Sequence, residues 1–158
     1  MTTINHLRRV AIKAGGSLAV TAAAISAGFL PGNVIAADWN KAAFDAKNLN
    51  DVLKAMGGSA AEKSPDIVIT APDIAENGAV VPIAVASKIP NTQSISILVE
   101  KNPSSLAAEF DILPGTEANV GTRVKMGQSS NVHAVVQAGG KYYVASKEIK
   151  VTLGGCGG

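Results

Sequence analysis

The fold is decided by Val132-His133-Ala134-Val135-Val136-Gln137-Ala138, then Gly139-Gly140-Lys141, then Tyr142-Tyr143-Val144-Ala145-Ser146-Lys147-Glu148-Ile149-Lys150-Val151-Thr152-Leu153. Two runs rich in β-branched and aromatic residues flank a glycine pair, which is the pattern of a β-hairpin. In the second run Tyr143, Ala145, Ile149, Val151 and Leu153 share one face, and Glu148, Lys150 and Thr152 share the other. On this reading Leu153 is the last core-facing residue and a C-terminal arm begins at Gly154.

The same punctuation extends upstream. Further strands are predicted at 67–70, ending at Ala71-Pro72, and at 80–87, after the turn Glu76-Asn77-Gly78. In the strand at 94–100, Ile95, Ile97 and Val99 oppose Ser94, Ser96 and Glu100. A strand at 107–113 precedes Pro114-Gly115, and in 118–126 Val120, Val124 and Met126 oppose Asn119, Arg123 and Lys125. Seven short strands make the chain mainly β and predict an immunoglobulin-like antiparallel β-sandwich over residues 65–153. Pro82 removes a ladder donor, so its strand is expected at an edge or a bulge, and such an edge could equally be a partner surface or a protected margin.

Ahead of the strands, 38–56 reads as an amphipathic helix. Trp39, Ala42, Ala46, Leu49, Leu53 and Met56 form one stripe, with Phe44 off it. Asp38 is placed to cap its start and Gly57-Gly58 to end it, and 60–65 reads as linker. Residues 37–64 are therefore expected to be helix and linker. No internal repeat is evident.

Residues 1–36 read as a cleaved export signal of twin-arginine type. Arg8-Arg9 lead into a weakly apolar, Gly/Ala-rich run, broken by Pro31-Gly32 before small residues that allow cleavage after Ala36 or Ala37. Leu7 and Ala11 depart from the usual context of the arginine pair. The run is too short and too interrupted for a membrane anchor. The expected location is the periplasm. The 158-residue chain carries 14 basic and 12 acidic residues, and Arg8, Arg9 and Lys13 leave with the signal. The mature balance is then 11 against 12, so the sequence pI of about 8.7 belongs to the precursor. No basic patch remains to argue for nucleic acid or for a membrane surface as partner.

The one strong candidate for chemistry is Cys156, the only cysteine, within Gly154-Gly155-Cys156-Gly157-Gly158. Glycines on both sides leave the backbone free and the sulfur uncrowded, which suits a thiol that enters another protein's cavity. Three extended residues beyond Leu153 reach roughly 10 Å. A lone thiol in an oxidising compartment implies intermolecular chemistry or a reactive site. With an ordinary pKa near 8.5, only a few per cent of it is thiolate at neutrality, and no cation lies in the arm; Lys147 and Lys150 stand back on the strand. The pattern is that of a carrier, not an enzyme. The alternative is a structural sandwich module that dimerises through an intermolecular Cys156 disulfide; a thiol-redox enzyme lacks its resolving cysteine here.

Other residues read as structural. His133 is the only histidine after cleavage and has no ligand-spaced neighbours, so no metal site and no cofactor is expected. Met56 and Met126 read as core, Ser129-Ser130 as turn chemistry, Asp66, Asp73 and Glu76 as solvated loop carboxylates, and Gly57-Gly58 as a helix stop.

At these residues the chain resembles the SoxY family, the sulfur-carrying subunit of the periplasmic Sox system of thiosulfate oxidation. The resemblance rests on the terminal Gly154-Gly155-Cys156-Gly157-Gly158 and on Ile69-Thr70-Ala71-Pro72-Asp73-Ile74-Ala75-Glu76-Asn77-Gly78 with Val81-Pro82. Arg123-Val124-Lys125-Met126 and Lys150-Val151-Thr152 support it. It implies an immunoglobulin-like sandwich paired as a heterodimer with a SoxZ-like β protein. It also implies that Cys156 holds sulfur intermediates covalently while Gly154, Gly155, Gly157 and Gly158 form a swinging arm. The implied enzymes are a haem-containing thiosulfate-coupling enzyme, a dimanganese hydrolase that releases sulfate and, where present, a molybdenum–haem sulfane oxidase. The cofactors belong to those partners.

Overall fold

The computed structural model describes residues 40–153. The predicted export signal with Arg8 and Arg9, Asp38, Trp39 and the terminal arm with Cys156 lie outside the described residues. Two short helices lead, α1 (Lys41–Asp45) and α2 (Leu49–Ala55). Nine strands follow: β1 (Ala61–Lys63), β2 (Ile67–Thr70), β3 (Ile74–Asn77), β4 (Val81–Ser87), β5 (Thr92–Val99), β6 (Leu106–Asp111), β7 (Asn119–Val124), β8 (Ser130–Ala138) and β9 (Lys141–Leu153). They form an immunoglobulin-like β-sandwich. One sheet runs β1-β9-β8-β5-β6 with β3 also on β9, and the other runs β2-β4-β7.

The hairpin that anchors the reading forms as expected, with β8 and β9 antiparallel and Ala138 opposite Lys141. Gly139 (φ 56°) and Gly140 (φ 76°) are its two central residues. Positive φ at both positions is the requirement of a two-residue turn matched to strand twist, and glycine meets it without a Cβ clash. Lys141 is therefore the first residue of β9, not part of the turn.

The single predicted helix is two helices. Asn40 caps α1, its side chain accepting from Ala43 N, and Asn48 in extended conformation caps α2 by accepting from Asp51 N at 2.9 Å. Asparagine competes with helical backbone for local hydrogen bonds, so Asn48 starts a new helix rather than continuing the old one. The carbonyls freed at the break find partners in the loop after β5: the Ser104 hydroxyl donates to Phe44 O and Ser105 N to Ala46 O. The break resets the buried face. Ala43, Val52 and Leu53 are fully covered, whereas Ala42 of the expected stripe is exposed. Gly57, at φ 87°, ends α2 as predicted, with Gly58 N donating to Leu53 O.

Two cores result. Between the sheets lie Val81, Ile83, Val85, Ile95, Ile97, Val99, Met126, Val132, Ala134, Val136 and Ile149. On the other face of the larger sheet Ala43, Val52 and Leu53 pack against Leu98, Leu106, Val135, Tyr142 and Val144. The strand around 94–99 is consequently buried on both faces, and its serines do not face solvent: Ser94 and Ser96 are buried. Among the described residues no helix is long and apolar enough to cross a membrane.

Three readings are corrected by topology. Residues 61–63, read as linker, pair in parallel with Tyr142–Val144 as β1. Residues 74–77, read as a loop and turn, return to the same strand as β3, opposite Lys150, Val151 and Leu153. The strand bearing Pro82 is the centre of its sheet, not an edge. Its pairing with β2 covers only Ala84–Ser87, so Pro82 falls where β4 has β7 alone as neighbour, opposite Arg123. The missing N–H is tolerated there because no strand lies on that side to receive it.

Candidate functional site

The end of β9 is the root from which the chain runs on to Cys156, which itself lies outside the described residues. It is held on both sides. On one, β3 supplies the ladder: Lys150 N donates to Asp73 O at 2.9 Å and Gly78 N to Leu153 O at 2.8 Å, and the Thr152 hydroxyl donates to Glu76 O. On the other, β8 has ended, and Ser129 takes its place. Its Oγ accepts from Val151 N at 2.9 Å. Ser130, buried beside it, accepts from Lys101 N through its hydroxyl. Ser129, which reads as turn chemistry, thus fixes the last residues of β9, while the Ser130 hydroxyl serves the loop after β5. Only the β8–β9 register reveals this, because Ser129 and Val151 are 22 residues apart in sequence.

Leu153 is 61 % exposed, against the expectation that it would be the last core-facing residue. Its predecessors on that face, Ile149 and Val151, run from buried to half-buried, so the strand outlives the core by about one pleat. The root is therefore backbone-clamped but outside the packed interior.

One lysine–carboxylate pair ties the strand down before the root. Lys147 Nζ lies 3.0 Å from Asp73 and 2.5 Å from Ala71 O, tying β9 to the segment that connects β2 to β3. Asp73 is thus an ion-pair partner, whereas Asp66 and Glu76 stay exposed as expected. Met126 is fully buried core, as predicted, and Met56 accepts the Tyr142 hydroxyl through its carbonyl at 2.6 Å.

His133 is in a cluster the sequence does not disclose. Its Nδ1 is 2.7 Å from Ser146 Oγ on β9, its Nε2 is 3.7 Å from Glu100, and Asn131 donates to the same carboxylate at 2.8 Å. Burial pushes the imidazole below its ordinary pKa, with Glu100 opposing. Ser146 is seven residues before Leu153, roughly 23 Å along an extended strand. A three-residue reach of about 10 Å cannot bring the Cys156 sulfur back to that imidazole. The histidine therefore serves the sheet and lies beyond the reach of the terminal thiol. Among the described residues, no group of three or more His, Cys, Asp or Glu side chains could hold a metal.

The smaller sheet carries one further feature. Where β2 stops at Thr70, a concavity of about 400 Å³ opens between residues 70–72, 82–84 and 121–123. Its single charged wall is Arg123.

Residues 52–156 match the family described as sulfur oxidation protein SoxY. Among solved structures, the chain is similar to the sulfur carrier protein SoxY from Chlorobium limicola f thiosulfatophilum, at 46% identity and TM-score 0.62, covering 67% of this chain and 97% of that one. It also resembles a superoxide reductase (neelaredoxin) from Ignicoccus hospitalis at 23% identity and TM-score 0.49, over 54% and 79% of the two chains. No curated protein matches the chain in sequence. A match of this extent, reaching Cys156 at one end and the second helix at the other, establishes that the chain belongs to the SoxY family.

Proposed function

We propose that the protein is a covalent carrier of sulfur intermediates in thiosulfate oxidation, holding them on Cys156 and presenting them to partner enzymes, and is not itself a catalyst. The observation that carries this reading is a lone cysteine three residues past a strand end clamped on both edges, in a chain 46% identical to a sulfur carrier. A fixed root gives the thiol a defined origin. The flanking glycines give it the freedom to enter differently shaped cavities.

The chemistry asks little of the carrier. Coupling the Cys156 thiolate to the sulfane sulfur of thiosulfate forms an S–S bond and releases two electrons, which a haem-containing partner accepts. Water then attacks the terminal sulfonate sulfur in a dimanganese hydrolase, giving sulfate, two protons and a persulfide on Cys156. Where present, a molybdenum–haem enzyme oxidises the sulfane sulfur that remains. Electrostatic activation and base are supplied by those sites. The working form is a heterodimer with a SoxZ-like β protein in the periplasm, exported through the Arg8-Arg9 signal by the twin-arginine route.

Intact-mass analysis of protein from thiosulfate-fed cells tests the proposal. Sulfur or thiosulfonate adducts are expected on the terminal peptide, and Cys156→Ser is expected to abolish thiosulfate-dependent turnover with its partners while melting as the wild type does. A clean doubled mass in fed cells, or full turnover by Cys156→Ser, would overturn it in favour of the disulfide-linked module.

A further inference from the structure

The outermost strand of the larger sheet carries a group of oxygen donors that the fold leaves without partners. This strand, β6, pairs on one side only, with β5. In that ladder Ser96 stands opposite Glu109 and Ser94 opposite Asp111, in unbroken register. Directly opposed residues of an antiparallel pair carry their side chains on the same face with Cβ atoms about 5 Å apart, and i, i+2 neighbours share that face. The four side chains therefore share one patch. It lies on the helix-covered face, because Ile95 and Ile97 point the other way, into the core between the sheets. The patch grades from solvent to interior: Asp111 is exposed, Glu109 half-buried, and Ser94 and Ser96 buried.

Two observations point to a ligand. The Ser96 hydroxyl, wholly buried, has no hydrogen-bond partner among the described residues, a state in which buried hydroxyls are seldom left. Neither carboxylate has an ion-pair or hydrogen-bond partner there either; the ion pairs among the described residues use Asp45, Asp51, Asp73 and Glu100. Burial, and after it the charge of Asp111, push the Glu109 carboxyl above its ordinary pKa. Ser94 donates to Gln137 Oε1 at 3.4 Å, which leaves the lone pairs of its own oxygen open and brings an amide oxygen to the rim. Two adjacent anions and an orphaned hydroxyl are each unfavourable alone, and one cation relieves all three. The donor chemistry selects it. Every donor is an oxygen, which disfavours zinc and copper. Calcium takes about six to eight oxygens in a flexible geometry, whereas magnesium demands a near-ideal octahedron. We propose that Ser94, Ser96, Glu109 and Asp111 form a calcium site, with Gln137 at its rim, that ties the outermost strand of the larger sheet to β5. Only two carboxylates take part, so water completes the shell and the affinity falls in the range of about 0.1–1 mM seen in extracellular modules.

The test is calorimetric titration of the chelator-treated full mature chain with calcium chloride, beside thermal melts in chelator, calcium or magnesium. Wild type is expected to bind one calcium and to melt about 3–8 °C higher in about 5 mM calcium than in chelator, with a smaller rise in magnesium. Glu109→Gln and Asp111→Asn should each weaken calcium binding about tenfold or more, and Ser96→Ala about threefold or more. Asp66→Asn, which alters an exposed carboxylate elsewhere, should bind as wild type does. Ser96→Ala also separates the ion from simple packing. In chelator it should melt at or above wild type, because it removes an unpaired buried hydroxyl, and in calcium below it. No binding heat and no melting shift in wild type would overturn the proposal. So would calcium binding that Glu109→Gln and Ser96→Ala leave unchanged, which would mark adventitious surface binding only.

Discussion

His133 shows how a residue's role is set by neighbours on other strands. In sequence it is a lone strand histidine; in the fold, from β8, it joins Ser146 of β9 and Glu100 just past the end of β5. Burial holds its pKa below the ordinary value of about 6.5, with Glu100 pulling the other way. Above that value the imidazole is neutral in both folded and unfolded chains and contributes nothing to pH dependence. As pH falls through it, the unfolded chain takes up the proton first, so folding stability declines until the depressed folded pKa is also passed. His133→Gln should therefore flatten the decline in urea-melt stability between about pH 7 and 5, and Glu100→Gln should steepen it. An unchanged slope in His133→Gln would show that the buried imidazole is not what titrates.

At the scale of elements, the two-helix segment is fixed to the larger sheet by one close approach. The Tyr142 hydroxyl donates to Met56 O, and a Cβ on Gly58 would come within 2.6 Å of the Tyr142 ring. The ring cannot yield without losing that hydrogen bond or the packing beneath it. Gly58→Ala is expected to destabilise by about 1–3 kcal/mol. Gly121→Ala, into open space, should stay within about 0.5 kcal/mol of wild type. Comparable urea midpoints for the two variants would mean that the helices rest only loosely on Tyr142. Most of the strand pattern was legible because period-two alternation and glycine or proline punctuation are local signals. The helix break was not, since Asn48 is a permissible helix residue until Ser104 and Ser105 arrive to take the carbonyls it releases. The strands β1 and β3 escaped for a similar reason: three or four residues carry little periodicity, and both exist because β9 is long enough to pair with each in turn.

At the scale of the molecule, the described fold closes before the last five residues begin. Both cores close with residues between Ala43 and Val151, and Leu153 already stands largely in solvent. A chain ending at Leu153 should thus unfold in urea with the same midpoint and m-value as the full mature chain. A loss above about 1 kcal/mol would assign the last five residues to the fold.

The amino-acid order alone determined the sandwich, the hairpin turn at Gly139-Gly140 and the place of the one cysteine, because alternation and left-handed turn geometry are properties of residues and near neighbours. It did not determine which strands lie at edges, that Pro82 sits in a central strand, or that Ser129 and β3 clamp the root of the terminal segment. Nor did it determine that Arg123 is the one charged residue lining the concavity of the smaller sheet. These follow from pairings between residues far apart in the chain, and only the closed sheets decide them.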